Sequence, residues 1–480
     1  MGGPLPHAER EVTQRLGNGT VHTVVSVALV AGYVVVLTFV AVRARAVREY
    51  AEFSLARRAL PLALIFGSLC ATYVGPGFSI AFVGRGFNSG YLFLLVGLAY
   101  SVQNVLVGVL VAPRLRALKD CHTLGDAIGQ KYNRRCHVLA GVISVGLCTG
   151  LAAVMAKAGS VVLTDIFRLP LWASLVLFVG FTALYTTSGG LRASVITDAF
   201  QFSAFAILLP VILLVALAFH LKGGATAFAE QGIAATREGF GSTSLIEIVG
   251  FFTAWLLGET LIPPYANRAL ASQTTRVSRN GFVLGGIFSV VWFLVMIALG
   301  IVARGIIPAG TSEDHVLLTL LKTIMPTEGY MLLLVVSISV IMSSLDSLLN
   351  AGAVAFTQDI VRPLRKLPDT SALDVGRAAT IIIAAAAAVV AVGVPSIIKG
   401  LLVCYTIWAP AILPALVLGL WLDRPQPLAG LLSMVVGALV AMLFQLPALN
   451  DTGVPAILPA LGAALLAYFI GHVLGRQRGA

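Results

Sequence analysis

The chain is 480 residues long, 58% hydrophobic and 11% charged, with a mean hydropathy of +0.95. Soluble proteins carry about 25% charged residues, so this composition excludes a water-facing globule, and with it soluble enzymes, nucleic-acid binders and disordered scaffolds. The net charge of +11, from 32 Lys and Arg against 21 Asp and Glu, is then read as the basic excess that membrane proteins keep in the loops of one face.

A helix needs about 20 mostly apolar residues to cross a hydrocarbon core about 30 Å thick. By that criterion about thirteen spans are expected. They lie near residues 22–44, 60–82, 89–112, 137–161, 168–187, 199–219, 246–263, 281–304, 329–357, 376–394, 397–421, 428–446 and 454–474, numbered here as spans 1 to 13. Span 1 is too long for a signal h-region and no A-x-A site follows it, so it reads as a retained span. With the N-terminus outside, 22 Lys and Arg residues fall in inside loops, Arg268 among them; nine fall outside, and Lys157 lies within a span. That asymmetry predicts an N-out, C-in topology. The outside stretches 220–245 and 305–328 have room for short re-entrant or surface helices. The five cysteines form no C-x-x-C pair and the seven histidines sit at span ends or in loops. Neither a disulfide framework nor a mid-membrane histidine metal site is expected.

Span 2 carries Gly75-Pro76-Gly77 at mid-depth. Backbone amides freed in lipid cost several kcal/mol each, so such an interruption is either a kink or a binding feature. Span 4 holds Lys157 and span 7 holds Glu259. A charge at mid-membrane costs about 2.5–3.5 kcal/mol or more, so each is expected in a pair or in water. They read either as cavity groups, Lys157 for a carboxylate and Glu259 for an amine, or as one structural ion pair. Asp198 opens span 6, where a helix-start carboxylate gains from the dipole.

Span 7 ends in Leu261-Ile262-Pro263-Pro264 after Gly258, a second interruption five spans after the first. Interrupted segments at matching places in two halves point to a transporter binding site, where unwound carbonyls hold cations. Span 9 places Ser343, Asp346, Ser347 and Asn350 at i, i+3, i+4 and i+7, on one helical face. Hydroxyls with a carboxylate make a hard-oxygen set suited to a small cation; interhelical hydrogen bonding is the alternative use of such a face.

Three separated stretches resemble the sodium/solute symporter family. Ser188-Gly189-Gly190-Leu191-Arg192-Ala193-Ser194-Val195-Ile196-Thr197-Asp198-Ala199-Phe200-Gln201 is similar to its GG-L-x-A-V-x-x-T-D-x-x-Q motif. Ser343-Ser344-Leu345-Asp346-Ser347 with Asn350 and Asp359 resembles its ion-site helix, and Thr123-Leu124-Gly125-Asp126 with Tyr132 matches the loop after its second core helix. The resemblance runs from about residue 60 to 420. It implies an all-α polytopic membrane protein with a LeuT-type five-plus-five inverted repeat. On that reading residues 1–58 hold the outer N-terminus, the extra leading helix and a basic inside loop. Residues 59–219 form the first repeat, 246–421 the second, and 422–480 two peripheral helices and a short tail.

Carried over by position, the resemblance implies a sodium site at the carbonyls of Ala71, Val74 and Val340 and the hydroxyls of Ser343 and Ser344. It implies a second ion site, present in some members, at Asp198, Ser343, Asp346 and Ser347, where several members have Ser in place of Asp346. The stretch Ala71 to Gly77 looks most like the choline-transporter branch: Tyr73 matches one aromatic of the site, but the partner position on span 7 is Ile262. Candidates for the substrate cavity are Tyr73, Gln103, Lys157, Trp255, Glu259 and Tyr265, with Phe78 beside them. The expected function is sodium-coupled symport of a small organic solute by alternating access. The partners are that solute, sodium and the lipid bilayer, with no nucleic acid, no obligate protein partner, and no cofactor beyond Na+ as coupling ion. A proton-coupled transporter of the same fold and a membrane sensor derived from it are the alternatives. No enzyme is expected, because no span sets His near Ser, Cys or Asp.

Overall fold

The structure is a computed structural model, and it describes residues 49–73, 75–365, 367–446 and 453–477, with Gly32, Val35, Val47 and Leu449 besides. Apart from Gly32 and Val35, span 1 lies outside the described residues. Every regular element among the described residues is helical, in keeping with a solvent that leaves backbone groups no partner but the chain itself. Spans 3, 4, 8, 10, 11 and 13 are single helices: α4 (Leu92–Ala117), α6 (Arg134–Phe167), α11 (Thr275–Arg304), α14 (Asp369–Val392), α15 (Ile397–Trp421) and α17 (Ile457–Gln477). Span 12 is α16 (Pro427–Leu443), and span 9 is α13 (Thr327–Ala355), prolonged by a π-helical turn at Phe356–Val361. Eight helices among the described residues are long and apolar enough to cross a membrane, or nine if one bent pair counts as a span.

The bent pair is α8 (Gly224–Ser242), on the stretch expected to hold a surface helix, and α9 (Leu245–Leu257), which meets it at 105°. Ser244 starts α9 with a reciprocal capping box: its hydroxyl accepts from the Glu247 amide, and Glu247 accepts from the Ser244 amide at 2.8 Å. Between spans 3 and 4, α5 (Leu124–Lys131) is likewise capped by Thr123, whose hydroxyl accepts from the Asp126 amide at 2.9 Å. A short helix, α1 (Tyr50–Leu55), precedes the first described span, and α12 (Val316–Ile324) lies between α11 and α13.

Spans 5 and 6 differ from expectation. No loop separates them; α7 runs from Leu171 to Val215 and turns a sharp corner at Gly190, with φ 56° and ψ −164°. That region is essentially reserved for glycine. The space is as restrictive as the backbone, since a Cβ on Gly190 would lie 2.8 Å from the Cα of Phe53. The second glycine of the Gly-Gly motif is therefore the corner itself. Asp198 sits two turns past it inside helical backbone, rather than at a helix start.

Core and rim follow the membrane pattern. On α13, residues 337–350 are all buried, serines included. On α7, Trp172, Leu184, Phe200 and Ile207 stay exposed, as does Phe219 in the π-helical turn that follows it, an apolar flank of the kind that lipid covers. The starts and ends of the two interrupted spans are joined by backbone. Leu60 donates to the Ala271 carbonyl at 3.1 Å and accepts from the Gln273 amide at 3.0 Å, beside α2 (Leu62–Tyr73) and α10 (Pro263–Ala271).

Candidate functional site

Both expected interruptions are present. Span 2 divides into α2 and α3 (Pro76–Ser89), and span 7 into α9 and α10. Proline opens both second halves, where its missing N–H costs nothing. In span 7 the break spans Gly258 to Ile262, and Leu261 takes a left-handed φ of 48°. Gly258 lets span 11 close on this break, because a Cβ there would stand 2.4 Å from that of Tyr405. In span 2 the break lies against span 9: a Cβ on Gly75 would be 2.8 Å from Ser344 Oγ and 3.0 Å from the Thr72 carbonyl.

A cavity of about 30 Å3 lies between the two breaks, with Thr72, Gly75, Glu259, Ile262, Pro264 and Ser344 in its wall. That is room for a water or two, far below the roughly 300 Å3 or more of a small-molecule site. Of the sodium-site positions, Ala71 and Val340 are buried, and Ser344 Oγ reaches the Val340 carbonyl at 3.4 Å. Val74 lies outside the described residues, as do the side chains of Tyr73 and Phe78.

The second ion-site positions also meet, with a cation already among them. Ser343 donates to Asp198 Oδ1. Ser194 and Tyr185 donate to Asp346 at 2.8 and 2.5 Å, and the Ser347 hydroxyl is 3.2 Å from Asp346 Oδ1. Arg268, counted with the inside loops in the charge analysis, is instead wholly buried on α10. Its guanidinium donates to Asp198 Oδ2 at 2.8 Å, to Ser347 Oγ and Ser68 Oγ at 2.7 Å, and to the Pro264 carbonyl at 2.9 Å. The charge rule counts positions along the chain and has no term for pairing in space. The available signal was an arginine four residues after Pro264, one turn from the break.

Of the substrate candidates whose side chains are described, all but one gather around the span 7 break. Glu259 lines the cavity, and Tyr405 donates to its Oε1 at 2.8 Å. The hydroxyls of Tyr100 and Tyr265, 3.2 Å apart, bear on the same carboxylate. Gln103 donates to Thr260 Oγ1 at 2.8 Å, and Trp255 meets Phe82 and Tyr405 edge-on, with centroids 5.5 Å away in each case. Lys157 is the exception: it is half-buried on α6, and among the described residues no ion pair links it to Glu259. Tyr405, Tyr185, Ser68 and Ser194 were missed because hydroxyls in apolar helices carry no periodic signal.

Two interrupted membrane helices meeting at a small cavity, with a hydroxyl-rich helix behind them, define a secondary transporter. The sodium:solute symporter family matches residues 53–437, and the chain belongs to that family. Its function is accordingly sodium-coupled symport of a small solute, as a multi-pass membrane protein. The sodium/pantothenate symporter of Escherichia coli is 25% identical over 88% of this chain and 90% of its own length; that of Haemophilus influenzae is 25% identical over 74% and 75%. A solved sodium-coupled sialic acid symporter, captured outward-open with substrate, shares the fold, with a TM-score of 0.82 at 16% identity over 94% of this chain and 97% of that one.

Proposed function

We propose that one sodium ion binds where the break in span 2 meets span 9, at Ser344, Ser343 and the carbonyls of Ala71, Val74 and Val340, and that it couples to an organic solute held between the breaks at Glu259. The observation that carries this reading is the shared cavity: Gly75 and Ser344 on its ion side and Glu259, Ile262 and Pro264 on its solute side line one small space. Filling the ion side fixes the wall of the solute side, which links the two ligands through one conformational equilibrium.

Charge supports a single sodium. The guanidinium of Arg268 already lies among Asp198, Ser343 and Ser347, where a second ion would go. One sodium ion moving down 100 mV supplies about 2.3 kcal/mol, roughly 40-fold solute accumulation from the potential alone. Asp346 is then the carboxylate of this network without a cation of its own, and Tyr185, Ser194 and Ser347 supply its hydrogen bonds.

Glu259 favours a solute carrying an amine or another donor-rich cationic group, since a tyrosine hydroxyl holds its carboxylate and among the described residues it has no ion-pair partner. Zwitterions fit this, with Lys157 available to a carboxylate once the cavity opens. Choline finds less support, because Ile262 is aliphatic where a second aromatic would complete a cage for quaternary ammonium. The repeats 59–219 and 246–421, the thirteen spans and the N-out orientation belong to the same proposal, and the pairing of the two breaks supports them. The symporters named above are sodium-coupled, which favours sodium over a proton.

The test is thermal unfolding of the detergent-purified protein in sodium against potassium chloride at equal ionic strength, with panels of amines, betaines, amino acids and carboxylates. A ligand that binds only the folded state raises stability by mass action. A sodium-specific rise, enlarged by an amine-bearing solute and abolished in Ser344→Ala, is the expected outcome. A rise of equal size in potassium, or one untouched by Ser344→Ala, removes the site.

A further inference from the structure

Away from the transport cavity, two buried carboxylates face each other with one histidine between them. Asp126 lies in the first turn of α5, His137 in the first turn of α6, and Asp359 in the π-helical turn after α13. His137 Nε2 is 3.0 Å from Asp359 Oδ1 and 3.3 Å from Asp126 Oδ1. One donor atom from each of the three residues lies within 4.8 Å of the others. Thr123 donates to the same Asp359 oxygen, while Gln358 Nε2 and the His122 amide donate to Asp126 at 3.3 and 2.8 Å. Asp359 is wholly buried, and its Oδ2 has no hydrogen-bond partner. The fold makes room for this side chain: a Cβ on Gly125 would lie 2.3 Å from Asp359 Cγ, and one on Gly141 2.4 Å from Asp359 Cβ.

The charge is not balanced by protein. Among the described residues His137 is the only basic side chain that pairs with either carboxylate. Arg362 turns instead to Gln358 Oε1 at 3.1 Å and to the face of Tyr50, and Arg58 is spent on the carbonyls of Leu270, Arg116 and Leu118. With a neutral imidazole the cluster carries two negative charges. Protonating His137 cancels one; a divalent cation cancels both and gives Asp359 Oδ2 a ligand.

The donor types narrow the ion. Sodium, magnesium and calcium prefer oxygen alone, whereas an imidazole nitrogen beside carboxylates suits first-row divalent transition metals. Bond lengths of about 2.0–2.2 Å put tetrahedral donors roughly 3.3–3.6 Å apart, near the two separations seen here. We propose that Asp126, His137 and Asp359 bind a zinc-class divalent metal ion, which fastens the loop helix α5 to span 4 and to the end of span 9. This site is separate from the sodium and solute positions and does not depend on their assignment.

The experiment strips the purified full-length protein with a chelator and titrates it with zinc chloride, against a competing chromophoric chelator and by thermal unfolding. One zinc per chain is expected, with a rise in Tm that equal concentrations of magnesium or calcium do not produce. His137→Ala and Asp126→Asn should each weaken zinc binding by about tenfold or more, and Asp126→Asn leaves the amide that Thr123 caps in place. X-ray absorption at the zinc edge should show nitrogen and oxygen ligands with an imidazole signature and no sulfur. No saturable binding at one equivalent, an equal response to magnesium, or binding retained in both variants overturns the proposal. The wild-type titration decides it even where a variant fails to fold.

Discussion

The guanidinium of Arg268 and the carboxylate of Asp198 stand 2.8 Å apart, and neither side chain has any exposed surface. Arg268 comes from the second half of one interrupted span and Asp198 from the helix that follows the Gly190 corner. Through Ser68, which the same guanidinium reaches and which donates to Asp198, the first half of the other interrupted span joins them. Removing one partner of a buried pair costs about 3–5 kcal/mol, because the other charge is left uncompensated. Arg268→Gln and Asp198→Asn should each lower stability by that order, and the double variant should recover most of the loss. Thermal unfolding of the four proteins in detergent measures it; purely additive losses would show that the two charges do not depend on each other.

Gly75→Ala tests the contact between span 2 and span 9 with a single methyl group. The new Cβ would sit 2.8 Å from Ser344 Oγ, with the Thr72 carbonyl 3.0 Å away on its other side. The expected variant folds but shows an apparent sodium affinity lowered by about tenfold, as overpacking by one carbon typically costs 1–3 kcal/mol. Sodium titration of the unfolding temperature reads it directly. Wild-type affinity in this variant would place the ion elsewhere.

Glu259→Gln keeps an oxygen for the Tyr405 hydroxyl but removes the charge. Losing one member of a desolvated charge pair costs about 2 kcal/mol or more, so the KM for an amine-bearing solute should rise roughly 30-fold while sodium binding persists. Uptake into proteoliposomes, run beside the sodium-dependent thermal shift, separates the two effects. If KM stays constant, Glu259 has a structural role.

Lys157 and Glu259 give a sharper contrast. A structural ion pair between them would make the double replacement less harmful than the sum of its parts. Since no such pair forms, Lys157→Met and Glu259→Gln should add to within about 0.5 kcal/mol, as measured by unfolding of the two singles and the double. Rescue in the double variant would reveal a pair formed in another state of the transport cycle.

The sequence was informative where chemistry and spacing coincide. Span 11 was expected at 397–421 and is Ile397–Trp421, because Ser396 caps its start and the apolar run is unbroken. Both interruptions were legible because Gly and Pro act locally. The corner at Gly190 was not, since apolar content alone cannot distinguish a loop from one residue with a positive φ. Arg268 was misplaced for the complementary reason: a charge reads as a loop unless its counter-charge, 70 residues away along the chain, is known to be its neighbour. The gathering of Glu259, Tyr405 and Tyr100 likewise exists only in three dimensions.

The backbone link at Leu60 has a mechanical consequence. Leu60 lies just before one interrupted helix and Ser272 just after the other, and the two segments pair side by side like a fragment of parallel sheet. The nearby chain is clamped further by Arg116, which donates to the Ser272 carbonyl at 2.5 Å and the Gln273 carbonyl at 3.0 Å. Tilting one of the broken helices without the other would have to tear this stitch open. The first half of one interrupted span and the second half of the other are therefore tied where they meet, so a tilt of either half loads the other through this stitch.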